Sequence, residues 1–216
     1  MTARQALIFS SSFVKAFLKH FFYALYHQFA FLYDFVAAAV SFNRWKDWTR
    51  EILPFIEGTR ILELGFGPGH LHLLRRDGWF AVGIDESPQM TRLARRNTDG
   101  KANLTRGLAQ HLPFQSEAFD TIISTFPSGY IFDPRTLAEA RRCLTVKGRL
   151  IVLLAAMPKN QALQWLYKVT GESSSEAEEI VKKKLQKPFV KANFETEILI
   201  RDTQSSRLLI MTARKK

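Results

Sequence analysis

The chain is poor in cysteine. Its 216 residues hold one, Cys143, which excludes a disulfide framework and a cysteine-only metal site. Acid is missing from the first stretch: no Asp or Glu precedes Asp34, so Arg4, Lys15 and Lys19 stand unopposed. Apolar runs of membrane-spanning length are missing too. The most apolar window, Phe21 to Phe42, is broken by His27, Gln28 and Asp34, whereas a spanning helix needs about 18 or more consecutive apolar residues. A cleaved signal peptide fits as poorly, because Ser10, Ser11, Ser12, Lys15, Lys19 and His20 interrupt any apolar centre. No Gly-Lys-Ser/Thr ending closes a glycine-rich turn, which excludes a P-loop. There is no internal repeat and no long low-complexity tract.

What is present reads as a folded protein. Hydrophobic residues make up 46% and charged residues 24%, enough for one domain with an extension or for two small domains. The net charge is +11. It divides as +3 over 1–60, +3 over 61–156 and +5 over 157–216, so no third is strongly basic. A basic excess admits a membrane surface or a nucleic acid as partner without choosing between them. Phenylalanine is less even, with 10 of 18 residues in 1–60.

Within that segment Phe9, Phe13, Phe17 and Phe21 recur every four residues, one stripe of an amphipathic helix. Such a stripe packs on the protein's own core as a lid, or lies in a membrane interface. A mitochondrial presequence is a weaker third option, since the segment carries a single Arg. Residues 26–56 read as two short helices punctuated by Asp34, Asn43 and Pro54, with Trp45, Trp48 and Ile52 on one stripe. The expected division is a helical lid or membrane-surface segment over 1–57 and a ligand-binding domain over 58–216.

From residue 60 the pattern alternates. Apolar strands are expected at 60–64, 80–84, 103–107, 119–125 and 150–156. Helices are expected at 70–76, from Ser87-Pro88 to about Arg96, and from Asp133-Pro134 to near Lys147-Gly148. Continuously apolar strands between helices indicate a parallel sheet covered on both faces. Beyond 157 the expectation is a helix at 161–168, a charged helix capped by Ser173 to Ser175 and running to Gln186, and a hairpin of 194–201 with 207–212. The fold class is therefore α/β: a Rossmann-like, doubly wound, mostly parallel sheet with a C-terminal antiparallel hairpin and an N-terminal helical lid.

The main chemical signal is a strand, a turn Gly65-x-Gly67-x-Gly69, a helix, and Asp85 at the end of the next strand. That order sets a nucleotide-like ligand at the strand C-termini, with glycines admitting close backbone approach and Asp85 able to accept from two ribose hydroxyls. A dinucleotide fingerprint would need a sixth-position glycine, where this chain has His70.

Four segments, LELGFGPGH (62–70), VGIDESPQM (82–90), LPFQSEAFDTII (112–123) and KGRLIVL (147–153), together resemble the successive motifs of class I S-adenosylmethionine-dependent methyltransferases. The nearest flavour is the type 11 small-molecule group that includes the ubiquinone and menaquinone C-methyltransferases. The resemblance covers 60–156, and Tyr33-Asp34 before a helix resembles that group's lid. It implies S-adenosylmethionine as cofactor, S-adenosylhomocysteine as product and no metal. It implies that Gly65, Gly67 and Gly69 line the methionine part, with Phe66 in the same cofactor-binding turn where the family commonly has a small residue, and that Glu63 lies near its amino group. Asp85 would hold the ribose, Glu86 and Met90 would flank ribose and adenine, Ala109 and Gln110 would border the adenine, and Thr125 would sit near the methionine end. The family has an acid where this chain has Leu108, so one hydrogen bond to the adenine amino group is forfeited, worth about 1 kcal/mol.

The segment after Thr125 is Phe126-Pro127-Ser128-Gly129-Tyr130, not the Asn-Pro-Pro-Tyr loop of amino-group methylases. Phe126, Tyr130 and the lid residue Tyr33 are the candidates for the acceptor side, and no catalytic base is assigned. The reading is methyl transfer by in-line displacement to a small hydrophobic acceptor, quinone- or lipid-like, in a cytoplasmic protein peripheral to a membrane. The alternatives are a nucleic-acid or protein methyltransferase using Lys182, Lys183, Lys184, Lys187 and Lys191, and a non-catalytic scaffold that binds the same cofactor.

Overall fold

The computed structural model describes residues 45–74, 76–158, 175–204 and 206–216. Contacts divide the chain into two units, 1–45 with 169–171, and 46–168 with 172–216. Of the first only Trp45 is described, and the second carries the sheet. The Phe9–Phe21 stripe, Tyr33 and the helix expected at 161–168 lie outside the described residues.

The elements are α1 (Trp45–Arg50), a 3-10 turn (Leu53–Phe55), β1 (Arg60–Leu64), α2 (His70–Leu73), β2 (Phe80–Asp85), α3 (Pro88–Asn97), β3 (Asn103–Arg106), β4 (Phe119–Thr125), a 3-10 turn (Gly129–Phe132), α4 (Pro134–Cys143), β5 (Leu144–Pro158), α5 (Ser175–Lys191), β6 (Phe194–Asp202) and β7 (Ser206–Lys215). The sheet order is β3-β2-β1-β4-β5-β7-β6. Strands β1 to β5 pair in parallel, and β7 pairs antiparallel with both β5 and β6. This is the expected mostly parallel sheet closed by a C-terminal hairpin. Ile61, Leu62, Leu64, Ile122, Ile123, Leu150, Ile151 and Val152 are all buried, because strands covered on both faces have no solvent side to keep polar.

Chain direction changes sides between β1 and β4. β1 is followed by β2 on one side, and β4 follows β3 on the other, so the carboxyl ends of β1 and β4 border the crevice where ligands of such sheets sit. Pairing between β1 and β4 stops at Glu63 opposite Ile123. Beyond that point the strand ends are joined by side chains.

Helix starts follow the sequence. Ser87 caps α3 by accepting from the Met90 amide at 3.2 Å, and Asp133 caps α4 by accepting from the Arg135 amide at 2.9 Å, each with proline next. Helix ends differ. The helix expected at 70–76 stops at Leu73, because Leu74 leaves the helical region at φ −96° and ψ 8°. The helix expected to reach 147–148 stops at Cys143, since Leu144 is extended and pairs with Phe119. Thr145 and Val146 then favour strand, and Lys147 at φ 65° makes the irregularity before Arg149 pairs with Thr121. The charged helix runs on to Lys191 through Pro188, where the expectation ended it at Gln186. Fully buried Phe189 packs edge-to-face on Phe132 at 5.9 Å and holds that last turn on the core.

Residues 46–57 join the sheet unit. Trp48, Thr49 and Ile52 are buried. Glu57 pairs with Arg149 and Arg214.

Candidate active site

The turn 65–69 is shaped by its glycines and tied down on three sides. Gly65, Gly67 and Gly69 have φ of 70°, 49° and 84°, a region that only glycine enters freely. The Gly65 amide donates to the Ile84 carbonyl at 2.8 Å, and the Asn97 side chain of α3 donates to the Pro68 carbonyl at 2.9 Å. Gly69 lies against α3, where an added Cβ would come within 3.1 Å of the Ala94 Cβ. Gly67 is the opposite case: no heavy atom stands within 4 Å of its would-be Cβ. The turn thus keeps an open face at its middle, where a ligand can approach the backbone.

Asp85 stands beside that face. Its Oδ2 accepts from the Gly67 amide at 2.9 Å and its Oδ1 from the Ser87 amide at 2.8 Å. A carboxylate has about four lone-pair sites, so two remain for hydroxyl donors of a ligand. The neighbouring Gly107 amide donates to the Asp85 carbonyl at 3.0 Å, which brings the segment after β3 alongside.

Glu63 is the second acid. Its side chain is 2% exposed, and its Oε2 lies 3.2 Å from Nε2 of equally buried His72. Neither of those atoms makes an aligned hydrogen bond, so the contact is one of proximity and charge. Burial pushes the Glu63 carboxyl above the usual glutamate range, and His72 opposes that shift. Thr125 at the end of β4 makes a long contact, 3.5 Å, to Glu63 Oε1.

The structure brings Glu63, Gly65, Gly67, Gly69, Asp85 and Thr125 together across three strand ends. Phe66 belongs to the turn by its backbone, but its ring is buried, edge-on to His72 at 6.5 Å and packed under Gly83. Glu86 is exposed, and its carbonyl accepts from Arg106 at 3.2 Å. Met90 sits half-buried in the first turn of α3. Leu108 is 46% exposed, Ala109 packs on the core, and Gln110 is half-buried.

Among the residues expected to face the acceptor, Phe126 follows Thr125 with φ 48°, a left-handed conformation rarely held by an aromatic residue. Its amide donates to the Leu153 carbonyl at 2.8 Å, and its ring lies 5.7 Å from that of Trp48. Backbone held in a sparsely populated region clusters at functional sites. Tyr130 points its hydroxyl to the Leu64 carbonyl at 2.9 Å and to Ser124 Oγ at 2.8 Å. Burial raises its phenol well above the ordinary tyrosine range, and the charges of Asp85, Glu63 and Glu86 add to that. Among the described residues no group of three or more His, Cys, Asp or Glu could hold a metal ion, and no helix is long and apolar enough to cross a membrane.

His72 and Ser124 were not singled out from the sequence. Ser124 carries a faint signal, a hydroxyl between Ile123 and Thr125 in a buried strand. His72 carries none, since its partner lies nine residues away on another element.

S-adenosylmethionine offers a ribose diol, an ammonium and a sulfonium. The open face at Gly67, the free lone pairs of Asp85, the unbonded buried Oε2 of Glu63 and the surrounding negative charge fit those groups.

A family profile described as a methyltransferase domain matches residues 61–148. A demethylmenaquinone methyltransferase of Thermus thermophilus is 32% identical over 155 residues, covering 67% of this chain and 70% of that protein. A ubiquinone/menaquinone biosynthesis C-methyltransferase of Shewanella sp. (strain ANA-3) is 28% identical, covering 66% of this chain and 62% of that protein. A SAM-dependent methyltransferase structure from Methanosarcina mazei superposes with a TM-score of 0.54 at 20% identity, covering 76% of this chain and 96% of that one. With its motifs, sheet order and relatives in agreement, the chain belongs to the class I S-adenosylmethionine-dependent methyltransferases.

Proposed function

We propose that this protein methylates a small, hydrophobic, quinone-like acceptor. The observation that carries the reading is the wall after β4, where Phe126 is held at φ 48° against Trp48 instead of a polar amide-binding loop. The quinone methyltransferases among its relatives support it.

When bound, S-adenosylmethionine supplies a methyl group on a sulfonium, open to displacement by an acceptor atom. In this reading Asp85 accepts from the ribose hydroxyls while its other lone pairs keep Gly67 and Ser87 in place. Glu63 takes the ammonium, and the negative surroundings of Glu63, Asp85 and Glu86 suit a cationic ligand. Met90, Ala109 and Gln110 border the adenine, with Leu108 in place of the family's acid. Phe66 contributes its backbone. Thr125 sits near the methionine end beside Glu63, Phe126 faces the acceptor, and its flat apolar ring excludes water and orients a ring-shaped substrate.

The test is incubation of the purified chain with methyl-labelled S-adenosylmethionine, a demethylated naphthoquinone and, separately, a broad lipid extract. Label should move into an organic-soluble, ring-containing product. Label appearing only in protein or RNA, or no organic-soluble product from any extract, would overturn the small-acceptor reading.

A further inference from the structure

Tyr130 stands on the acceptor side of the crevice by sequence, yet its hydroxyl reaches the cofactor turn. The Leu64 carbonyl is the last of β1, just past the point where pairing with β4 ends at Glu63 and Ile123. A carbonyl exposed by diverging strands needs another donor, because an unpaired buried acceptor is costly. Here two hydroxyls stand in for the ladder. Ser124 Oγ donates to the Leu64 carbonyl at 2.9 Å, Tyr130 Oη donates to the same oxygen at 2.9 Å, and the two hydroxyl oxygens lie 2.8 Å apart. The next residue is Gly65. A Cβ there would stand 2.4 Å from Tyr130 Oη and 3.3 Å from its Cζ. The phenol therefore occupies the space beneath the first glycine of the turn and touches the backbone that begins it.

We propose that Tyr130 is a positioning residue for the cofactor. Through Leu64 it sets the height and pitch of the Gly65–Gly69 turn, so that the segment between β4 and α4, which walls the acceptor side, also governs cofactor affinity. Three features support this. The phenol is held from both ends of the crevice, by its own 3-10 turn at Gly129–Phe132 and by β1. Ser124 is fully buried, and its hydroxyl meets both the Leu64 carbonyl and the Tyr130 phenol. The steric demand on Gly65 comes from Tyr130 as well as from its φ of 70°. The proposal rests on the reading of 63–69 and Asp85 as the cofactor site.

The experiment is calorimetric titration of the full chain with S-adenosylhomocysteine, comparing wild type, Tyr130→Phe, Ser124→Ala, Gly65→Ala, the double variant Gly65→Ala with Tyr130→Phe, and Asp85→Ala, each with a thermal midpoint. Tyr130→Phe should weaken binding by about tenfold, the effect of one hydrogen bond to a buried carbonyl. In turnover with S-adenosylmethionine it should raise the cofactor KM more than it lowers kcat. The double variant should bind more tightly than Gly65→Ala alone, since the phenylalanine lacks the oxygen that meets the new methyl group. Wild-type affinity in both Tyr130→Phe and Ser124→Ala, whatever the thermal midpoints, would overturn the proposal while leaving the cofactor site standing if Asp85→Ala abolishes binding. No binding by wild type, or undiminished binding by Asp85→Ala, would overturn the site reading and the proposal with it.

Discussion

Glu63 shows how a single buried acid ties stability to function. Its carboxyl is removed from water, and that burial is the largest influence on it, raising its pKa against the pull of His72. A raised acid pKa means that the folded chain holds the proton more tightly than the unfolded chain. The associated stability is fully present below the unfolded value and is lost as pH rises through the folded one. Glutamine does not titrate. Glu63→Gln should therefore melt close to wild type in acid and increasingly above it as pH climbs through and beyond the ordinary glutamate range, while its affinity for S-adenosylhomocysteine falls. Thermal midpoints of both proteins across pH check this, and parallel curves would show that burial of Glu63 carries no stability cost. The acid itself was legible in the sequence, as were Asp85 and the glycines, because they lie within one motif or its spacing. His72, Ser124 and the true partners of Tyr130 were not. The Tyr130 contact with Leu64 joins residues 66 apart and exists only once β1 and β4 are neighbours.

Helix α4 and the segment after β3 act as one element. Arg142 donates from Nη1 to the Phe114 carbonyl at 2.7 Å and from Nη2 to the Leu112 carbonyl at 3.0 Å, while Glu139 accepts from the Leu112 amide at 2.8 Å. The same two side chains pair with each other at 2.8 Å. This clamp holds the residues that follow Leu108, Ala109 and Gln110, which border the adenine in the proposed site. Arg142→Ala should cost about 1–2 kcal/mol, since four hydrogen bonds from a charged group are lost but the side chain is a third exposed and screened. It should raise the cofactor KM with little change in kcat. Denaturant unfolding and initial-rate kinetics read the two effects, and an unchanged KM would mean that the clamp serves the fold alone. Strand positions and helix starts at this level followed from apolar runs and from Ser87-Pro88 and Asp133-Pro134. Helix ends did not, because they depend on tertiary partners: Phe119 draws Leu144 into β5, and Phe189 keeps α5 helical past Pro188. The N-terminal stripe lies outside the described residues, so its choice between lid and membrane rests on the phenylalanine spacing alone.

At the scale of the molecule, overall charge and local charge oppose each other. The chain carries +11, yet the crevice between β1 and β4 gathers Glu63, Asp85 and Glu86, whose charges all act on the Tyr130 phenol. The global excess therefore says little about the ligand, and the local field, in a partly enclosed site, says more. A ligand bound there touches the ends of β1, β2 and β4 at once and stabilises the whole sheet, since it binds the folded chain and not the unfolded one. At a free concentration of about a hundred times Kd the gain is roughly 2.7 kcal/mol. For a chain of this size each kcal/mol moves the midpoint by about 2–4 °C, so saturating S-adenosylhomocysteine should raise Tm by roughly 5–10 °C. The rise should scale with the logarithm of ligand concentration and disappear in Asp85→Ala, whose folded sheet retains every strand pair but lacks the carboxylate that anchors Gly67 and, in the proposed site, the ribose. Scanning calorimetry over a ligand series decides it. A rise that persists in Asp85→Ala would move the ligand away from the β2 end and with it the assignment of the crevice as the site of methyl transfer.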